Sequence, residues 1–139
     1  MGTSGTLALL GDNGYPYAVP ISYVYADGRL YFHSAKTGHK VDAIIQHDKA
    51  AFCVIAADEV RPSEFTTYFR SVIAFGKIQI IESESERMYA ASLLGSKYNP
   101  GDDTGLRKEL EKGLSHMLIL RLDIDHLSGK EAIELVGKR

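Results

Sequence analysis

The sequence predicts a mainly β fold, an antiparallel sheet with two or three inserted helices. Three observations carry this. Asn13-Gly14 and Asp27-Gly28 accept positive φ at both central positions, which tight two-residue hairpins require. The segments beside these turns alternate with period two. Hairpins come first and helices later, so the strand–helix alternation of a doubly wound parallel sheet is missing. A sheet of this kind has two open edges, and closing it into a small barrel removes them.

The elements follow in order. Thr6 to Leu10 is a short apolar strand, and Gly11 to Gly14 is its turn. From Tyr15 to Tyr25, residues Tyr15, Tyr17, Val19, Ile21, Tyr23 and Tyr25 share one face of a second strand. Pro16 and Pro20 interrupt its donors, which marks an edge, a bulge or a place where something other than a strand meets the backbone. Leu30 to Ser34 is a third strand. Val41, Ile44 and Ile45 fall at helical spacing and predict a helix over 39–47. Ala50 to Ala57 is strand, with Phe52, Val54 and Ala56 on one face, and 58–66 reads as a polar loop containing Pro62. Tyr68 to Ile81 is strand again, bent near Gly76. Ser83 and Glu86 form a capping box for a helix to Tyr98, whose face carries Met88, Ala91, Gly95 and Tyr98. A further helix is expected over 106–114. Leu118, Leu120, Leu122 and Ile124 alternate in a strand over 117–125, and 127–136 is a last strand or a docked tail.

Composition limits the function classes. The chain has 139 residues, enough for one domain with a core that needs no disulfide or metal staple. Sixteen basic against eighteen acidic residues give a net charge of -2, which argues against a nucleic-acid binder. The single cysteine, Cys53, cannot form an internal disulfide; it reads as core and suits a reducing, cytoplasmic setting. No apolar run approaches the length of a membrane span. His33, His39, His47, His116 and His126 show no metal-binding spacing, so no metal is expected. No dinucleotide fingerprint, P-loop or nucleophile elbow is present.

The stretch richest in chemistry is Tyr31-Phe32-His33-Ser34-Ala35-Lys36-Thr37-Gly38-His39-Lys40. A strand ends, a glycine-bearing loop follows, and a helix begins. Free amides at a helix start hold anions, and Ser34, Thr37, Lys36, His39 and Lys40 add hydroxyls and cations. Spacing alone fits a phosphate cradle and a solvated, capped helix equally. His33 sits at the strand end beside this loop, where a histidine can donate a proton to a ligand; taken alone, a hydrogen-bonded structural histidine is the plainer reading. The tyrosines of the second strand fit a flat-ring pocket, an interface or core packing, the last two being the commoner fates.

Gly5-Thr6-Leu7-Ala8, Pro16-Tyr17-Ala18-Val19-Pro20-Ile21-Ser22-Tyr23, Tyr31-Phe32-His33-Ser34-Ala35 and Gly38-His39-Lys40-Val41-Asp42-Ala43-Ile44 together resemble the Nim-type (5-nitroimidazole resistance) proteins. These belong to the pyridoxamine 5'-phosphate oxidase-like, FMN-binding split-barrel superfamily. Tyr68-Phe69-Arg70-Ser71-Val72-Ile73-Ala74-Phe75-Gly76-Lys77 and Gly129-Lys130-Glu131 continue the likeness along nearly the whole chain. The resemblance implies an antiparallel split β-barrel that forms a homodimer with FMN at the subunit interface. It puts the flavin ring against Val19, Pro20, Ile21 and Ser22, and the phosphate near Ser34, His39 and Lys40. It brings Tyr68, Arg70 and Ser71 to the cofactor or the interface, from the same or the partner chain. It gives His33 the place beside the reactive face, as proton donor or substrate contact. The implied activity is reduction of the nitro group of 5-nitroimidazole-like small aromatics to an amine. The alternative is a flavin- or haem-binding carrier or sensor without such turnover. A pyridoxamine-phosphate oxidase proper is disfavoured, because its arginine-rich substrate signature is missing.

Overall fold

The computed structural model describes residues 4–11, 14–98 and 116–133. Seven strands form one sheet: β1 (Ser4–Leu10), β2 (Pro16–Ser22), β3 (Val24–Ala26), β4 (Arg29–Ala35), β5 (Lys49–Arg61), β6 (Thr66–Ile80) and β7 (Met117–Glu131). Helix α1 (His39–Gln46) lies between β4 and β5, and α2 (Glu84–Tyr98) between β6 and β7. The sheet order is β2-β1-β5-β6-β7-β4-β3, and every pairing is antiparallel. The sheet curls on itself. Leu30 and Phe32 of β4 therefore share one core with Leu7 and Leu9 of β1 and Phe52 of β5. This is the split barrel expected from the sequence.

The Asp27-Gly28 signal acts as its chemistry requires. Asp27 and Gly28 have φ of 50° and 78°. Gly14 has φ 78°, and the Gly11 N–H donates to the Tyr15 carbonyl at 3.1 Å. Asn13 and the helix expected over 106–114 lie outside the described residues. Pro16 and Pro20 lie on an edge strand, since among the described residues β2 pairs with β1 alone. A missing N–H is tolerated on such an unpaired edge, where it also discourages addition of another strand.

Five expectations need correction. The second strand expected over 15–25, with six residues on one face, is two: β2 ends at Ser22, and β3 pairs with β4 at the opposite edge of the sheet, with Tyr15 and Tyr25 exposed and Tyr23 buried. The polar loop over 58–66 is a hairpin: β5 runs to Arg61, β6 starts at Thr66, and a short 3-10 turn, Pro62–Glu64, joins them. Val60 and Phe65 are exposed there, so neither face shows the apolar alternation that marks a half-buried strand. The two final segments are one strand, β7, with a bulge. Phe75 pairs with His126 and Gly76 with Ile124, which leaves Asp125 extra and turns Leu127 to the face of Ile124. The bend near Gly76 is where this occurs. The buried stripes of the helices are also rotated from their expected positions. Helix α1 buries Val41, Ala43 and Ile44 while Ile45 is exposed; α2 buries Ala90, Ala91 and Leu94 while Met88 is exposed. Small alanines let each helix approach the sheet closely. Cys53, finally, is half-buried on the outer face rather than in the core, in one register row with Pro20, Thr6, Ile73 and Ser128.

Helix α2 covers the outer face of β3, β4 and β7, packing Ala90, Ala91 and Leu94 on Val24, Tyr31 and Ile119. The capping box forms in half: the Glu86 N–H donates to Ser83 Oγ at 3.5 Å. The Glu86 carboxylate does not turn back to its helix start. It accepts from Arg121 at 2.8 Å through each oxygen and from the Tyr31 hydroxyl at 2.9 Å. Burial, followed by the Glu86 carboxylate, raises the Tyr31 hydroxyl above its ordinary pKa. No helix among the described residues is long and apolar enough to cross a membrane.

Candidate functional site

The strand–loop–helix unit from β4 into α1 gathers the first group of expected site residues. Ser34 is the last buried residue of β4, and its hydroxyl donates to the Ala35 carbonyl at 3.0 Å. The loop turns at Gly38, whose φ of 137° favours glycine. No side chain caps α1, and a Cβ built at Gly38 would meet nothing within 4 Å. The helix start is thus uncapped and approachable. His39 stands beside it, exposed, with its ring 4.8 Å from that of Tyr17 on β2. Lys40 is half-buried, and burial lowers its ammonium pKa. A partly desolvated cation beside free helical amides is suited to an anion of phosphate type. These residues fit the phosphate end of a flavin nucleotide on donor chemistry and on access.

The β2 residues divide by parity. Val19 and Ile21 pack their side chains against the barrel core. Pro20 and Ser22 share the opposite, outward parity. A ring lying along this edge would therefore meet Pro20 and Ser22 together with main chain. His33 is exposed on the outer parity of β4, opposite Ile119 of β7. It is one residue from the buried Ser34 and on the other face, so the two cannot touch one ligand atom from the same side.

Arg70 and Ser71 are not brought to α1 by a single chain. Tyr17, Leu9, Ala50 and Gly76 form one register row, and His39 stands at its Tyr17 end. Arg70 is six residues from Gly76 along β6, roughly 20 Å at strand spacing. Its guanidinium pairs with Glu131 at 2.9 Å. Tyr68 pairs in backbone register with Glu59, and its side chain lies outside the described residues. Among the described residues no three His, Cys, Asp or Glu side chains are grouped to hold a metal ion.

Two features were not foreseen. The outer face of β1, β5 and β6 presents small and apolar residues: Ala8, Ala51, Cys53, Ile55, Ile73 and Phe75, with Ile55 and Phe75 exposed. An apolar face of this kind is the usual substance of a protein interface. The alternation in β5 and β6 carried the signal, but strands with two apolar faces read simply as buried. The second feature is an ionic cluster joining α2 to the sheet. Arg121 pairs with Asp123 at 2.9 Å, Arg29 with Asp123 at 3.2 Å, and Glu86 lies between Arg121 and Arg29.

The sequence profile of the pyridoxamine 5'-phosphate oxidase family matches residues 2–131. Among curated proteins no sequence matches significantly. A solved structure of an FAD and haem binding protein from Mycobacterium smegmatis is 29% identical, with a TM-score of 0.78; the match covers 94% of this chain and 66% of that one. An FAD-binding protein from Mesorhizobium loti is 24% identical over 94% of this chain and 87% of its own, with a TM-score of 0.69. A candidate 5-nitroimidazole antibiotic resistance protein from Bacteroides thetaiotaomicron is 18% identical over 93% of this chain and 76% of its own, with a TM-score of 0.78, a likeness of fold. Because the profile spans nearly the whole chain, from before β1 to the end of β7, this protein belongs to the pyridoxamine 5'-phosphate oxidase family.

Proposed function

We propose that this chain is a flavin-binding redox protein that holds FMN at the interface of a homodimer and reduces the nitro group of 5-nitroimidazole-like small aromatics to an amine. The observation that carries the reading is the uncapped start of α1 with Gly38, Ser34, His39 and Lys40 around it. Flavin, when bound, supplies the electron chemistry. The chain's own residues bind and orient. Lys40 and the α1 amides balance the phosphate charge, and the Pro20–Ser22 edge supports the ring. His33, exposed on β4, is the proton donor or substrate contact on the solvent-facing side. Arg70 stands six residues along β6, roughly 20 Å at strand spacing, from the register row that ends at Tyr17 beside the helix start, which supports a site completed by a second copy. The apolar outer face of β1, β5 and β6 supports the same arrangement.

The test is the visible spectrum of FMN-soaked, desalted protein, followed by turnover of a 5-nitroimidazole with the flavin kept reduced by an external two-electron donor, three equivalents per nitro group taken to the amine. Retained flavin bands and nitro consumption are expected; a colourless protein overturns the cofactor assignment. Exchanging Lys40 for Ala should weaken FMN binding about 10- to 30-fold, the loss of one charge-assisted contact. Unchanged flavin affinity by titration would remove Lys40 from the site. In the His33→Ala variant FMN should stay bound while nitro reduction falls about 100-fold, the low end for general acid catalysis. Undiminished turnover would assign His33 no part in it.

A second reading, a flavin or haem carrier without nitro turnover, draws support from the Mycobacterium smegmatis relative, described as binding FAD and haem. Tight flavin or haem binding with no nitro consumption would favour it.

A further inference from the structure

The mouth of the barrel opens into a cleft that the proposed flavin site does not use. Its volume is about 240 Å³. Tyr23, Tyr25 and Leu30 line it from β4 and the segment before it, while Phe52, Val72 and Leu127 face them from β5, β6 and β7. Two bulges shape it. One, at Ile55/Ala57, leaves Ala56 unpaired at the rim; the other, at Phe75/Gly76, turns Leu127 inward. Phe52 forms the floor, wedged edge-on against Tyr23 and Phe32 with ring centroids 5.0 Å away in each case.

None of the ten lining residues carries a charge. The Tyr25 oxygen accepts the Gly28 N–H at 3.1 Å, which holds that hydroxyl at the β3–β4 turn. The next side chain of the same parity beyond Val72 is Arg70, and Glu131 already pairs with it at 2.9 Å. An anionic guest would therefore have to displace a carboxylate from Arg70, and Lys97, whose Nζ lies 3.5 Å over the Tyr23 ring, already donates to the Tyr23 carbonyl at 2.7 Å; a strongly polar guest would give up most of its water partners. An apolar cavity of about 150 Å³ accepts benzene, so this cleft has room for a larger planar hydrocarbon but is too small for a porphyrin.

We propose that this cleft binds a small neutral aromatic molecule of one or two fused rings, stacked among Tyr23, Tyr25 and Phe52. The site is independent of the phosphate cradle at α1. Indole is a suitable probe, with indole-3-carboxylate as its anionic counterpart. Binding to the full chain is read by saturation-transfer NMR, with and without added FMN. Val72→Glu puts a charge in the wall, and Ala56→Phe fills the rim from an exposed position that the core does not need. Indole should bind, bind at least tenfold more weakly to both variants, and be unaffected by FMN. The carboxylate should bind at least tenfold more weakly than indole. Melting curves of the variants show whether each remains folded, and either folded variant suffices.

Several outcomes overturn the proposal. Indole binding that survives in a folded variant places it elsewhere. A carboxylate that binds as well as indole makes the class wrong. Competition by FMN merges the cleft with the flavin site. Indole affinity that falls as protein concentration rises gives the cleft to a second copy of the chain. Indole binding in a protein that retains no flavin would leave this proposal standing while the flavin reading fails.

Discussion

Exchanging Glu86 for Gln is expected to destabilise the protein by about 2–3 kcal/mol near neutral pH, below the 3–5 kcal/mol of fully buried pairs. The position is partly wet: the Glu86 side chain is 22% exposed and that of Arg121 15%. Gln keeps the shape but removes one of the two carboxylates that hold the Arg121 guanidinium, leaving Asp123 as its charged partner. The pH dependence has a definite sign. Burial alone would raise the pKa of the Glu86 carboxyl, but the Arg121 and Tyr31 hydrogen bonds and the charges of Arg121 and Arg29 outweigh it and bring it below the ordinary carboxylate value. A group whose pKa falls on folding stabilises the native state above its unfolded pKa, about 4.3 for Glu. That contribution disappears as pH falls through the folded value. Urea melts from pH 7 downward should therefore show the parent losing stability on acidification while the Gln variant loses less. Coincident curves would mean that the cluster is ordinary solvated charge.

That cluster also shows why part of the structure could not be read locally. Ser83 and Glu86 carry the spacing of a capping box, and local spacing is all that such a motif contains. The partners that claim the Glu86 carboxylate are 35 and 55 residues away in the chain. They are charge-assisted or phenolic donors, stronger than the helix's own first amide. The turns were legible for the opposite reason. Asp27 and Gly28 settle their backbone within the dipeptide, and no distant residue is needed to select positive φ. The β5–β6 hairpin was hidden because exposed strands need no apolar alternation, and Glu59, Arg61, Pro62 and Glu64 together resemble a loop.

The candidate site divides along the same line. Ser34, Gly38, His39 and Lys40 are contiguous, and a strand end leading into a helix start brings them together without tertiary information. Parity then adds what spacing could not. Val19 and Ile21 turn into the core while Pro20 and Ser22 turn out, and His33 and Ser34 take opposite faces of β4. The distance of Arg70 and Ser71 from the helix start could not be read locally, since the register of β5 and β6 sets them six and five residues along β6 from the row that Tyr17 shares.

Gly76→Ala should cost about 4 kcal/mol, beyond the usual 1–3 kcal/mol of overpacking because the obstacle is main chain. A Cβ at Gly76 would overlap the Asp123 carbonyl oxygen and come within 2.9 Å of the Asp123 carbonyl carbon. These atoms belong to the neighbouring β7 ladder and cannot rotate away as a side chain would. Relief requires the bulge opposite Asp125 to open, and opening it turns Leu127 off the inner face. Gly129→Ala is the internal control: its Cβ would meet only the Ser71 carbonyl oxygen, at 3.8 Å. The control should change stability by about 0.5 kcal/mol or less, the range of ordinary surface substitutions. Denaturant melts of the two variants separate the explanations. A large loss at Gly76 with none at Gly129 locates the requirement in close strand approach at the bulge. Equal losses would instead assign both to the general intolerance of this strand pair for added bulk, and the bulge would no longer be what shapes the mouth of the barrel.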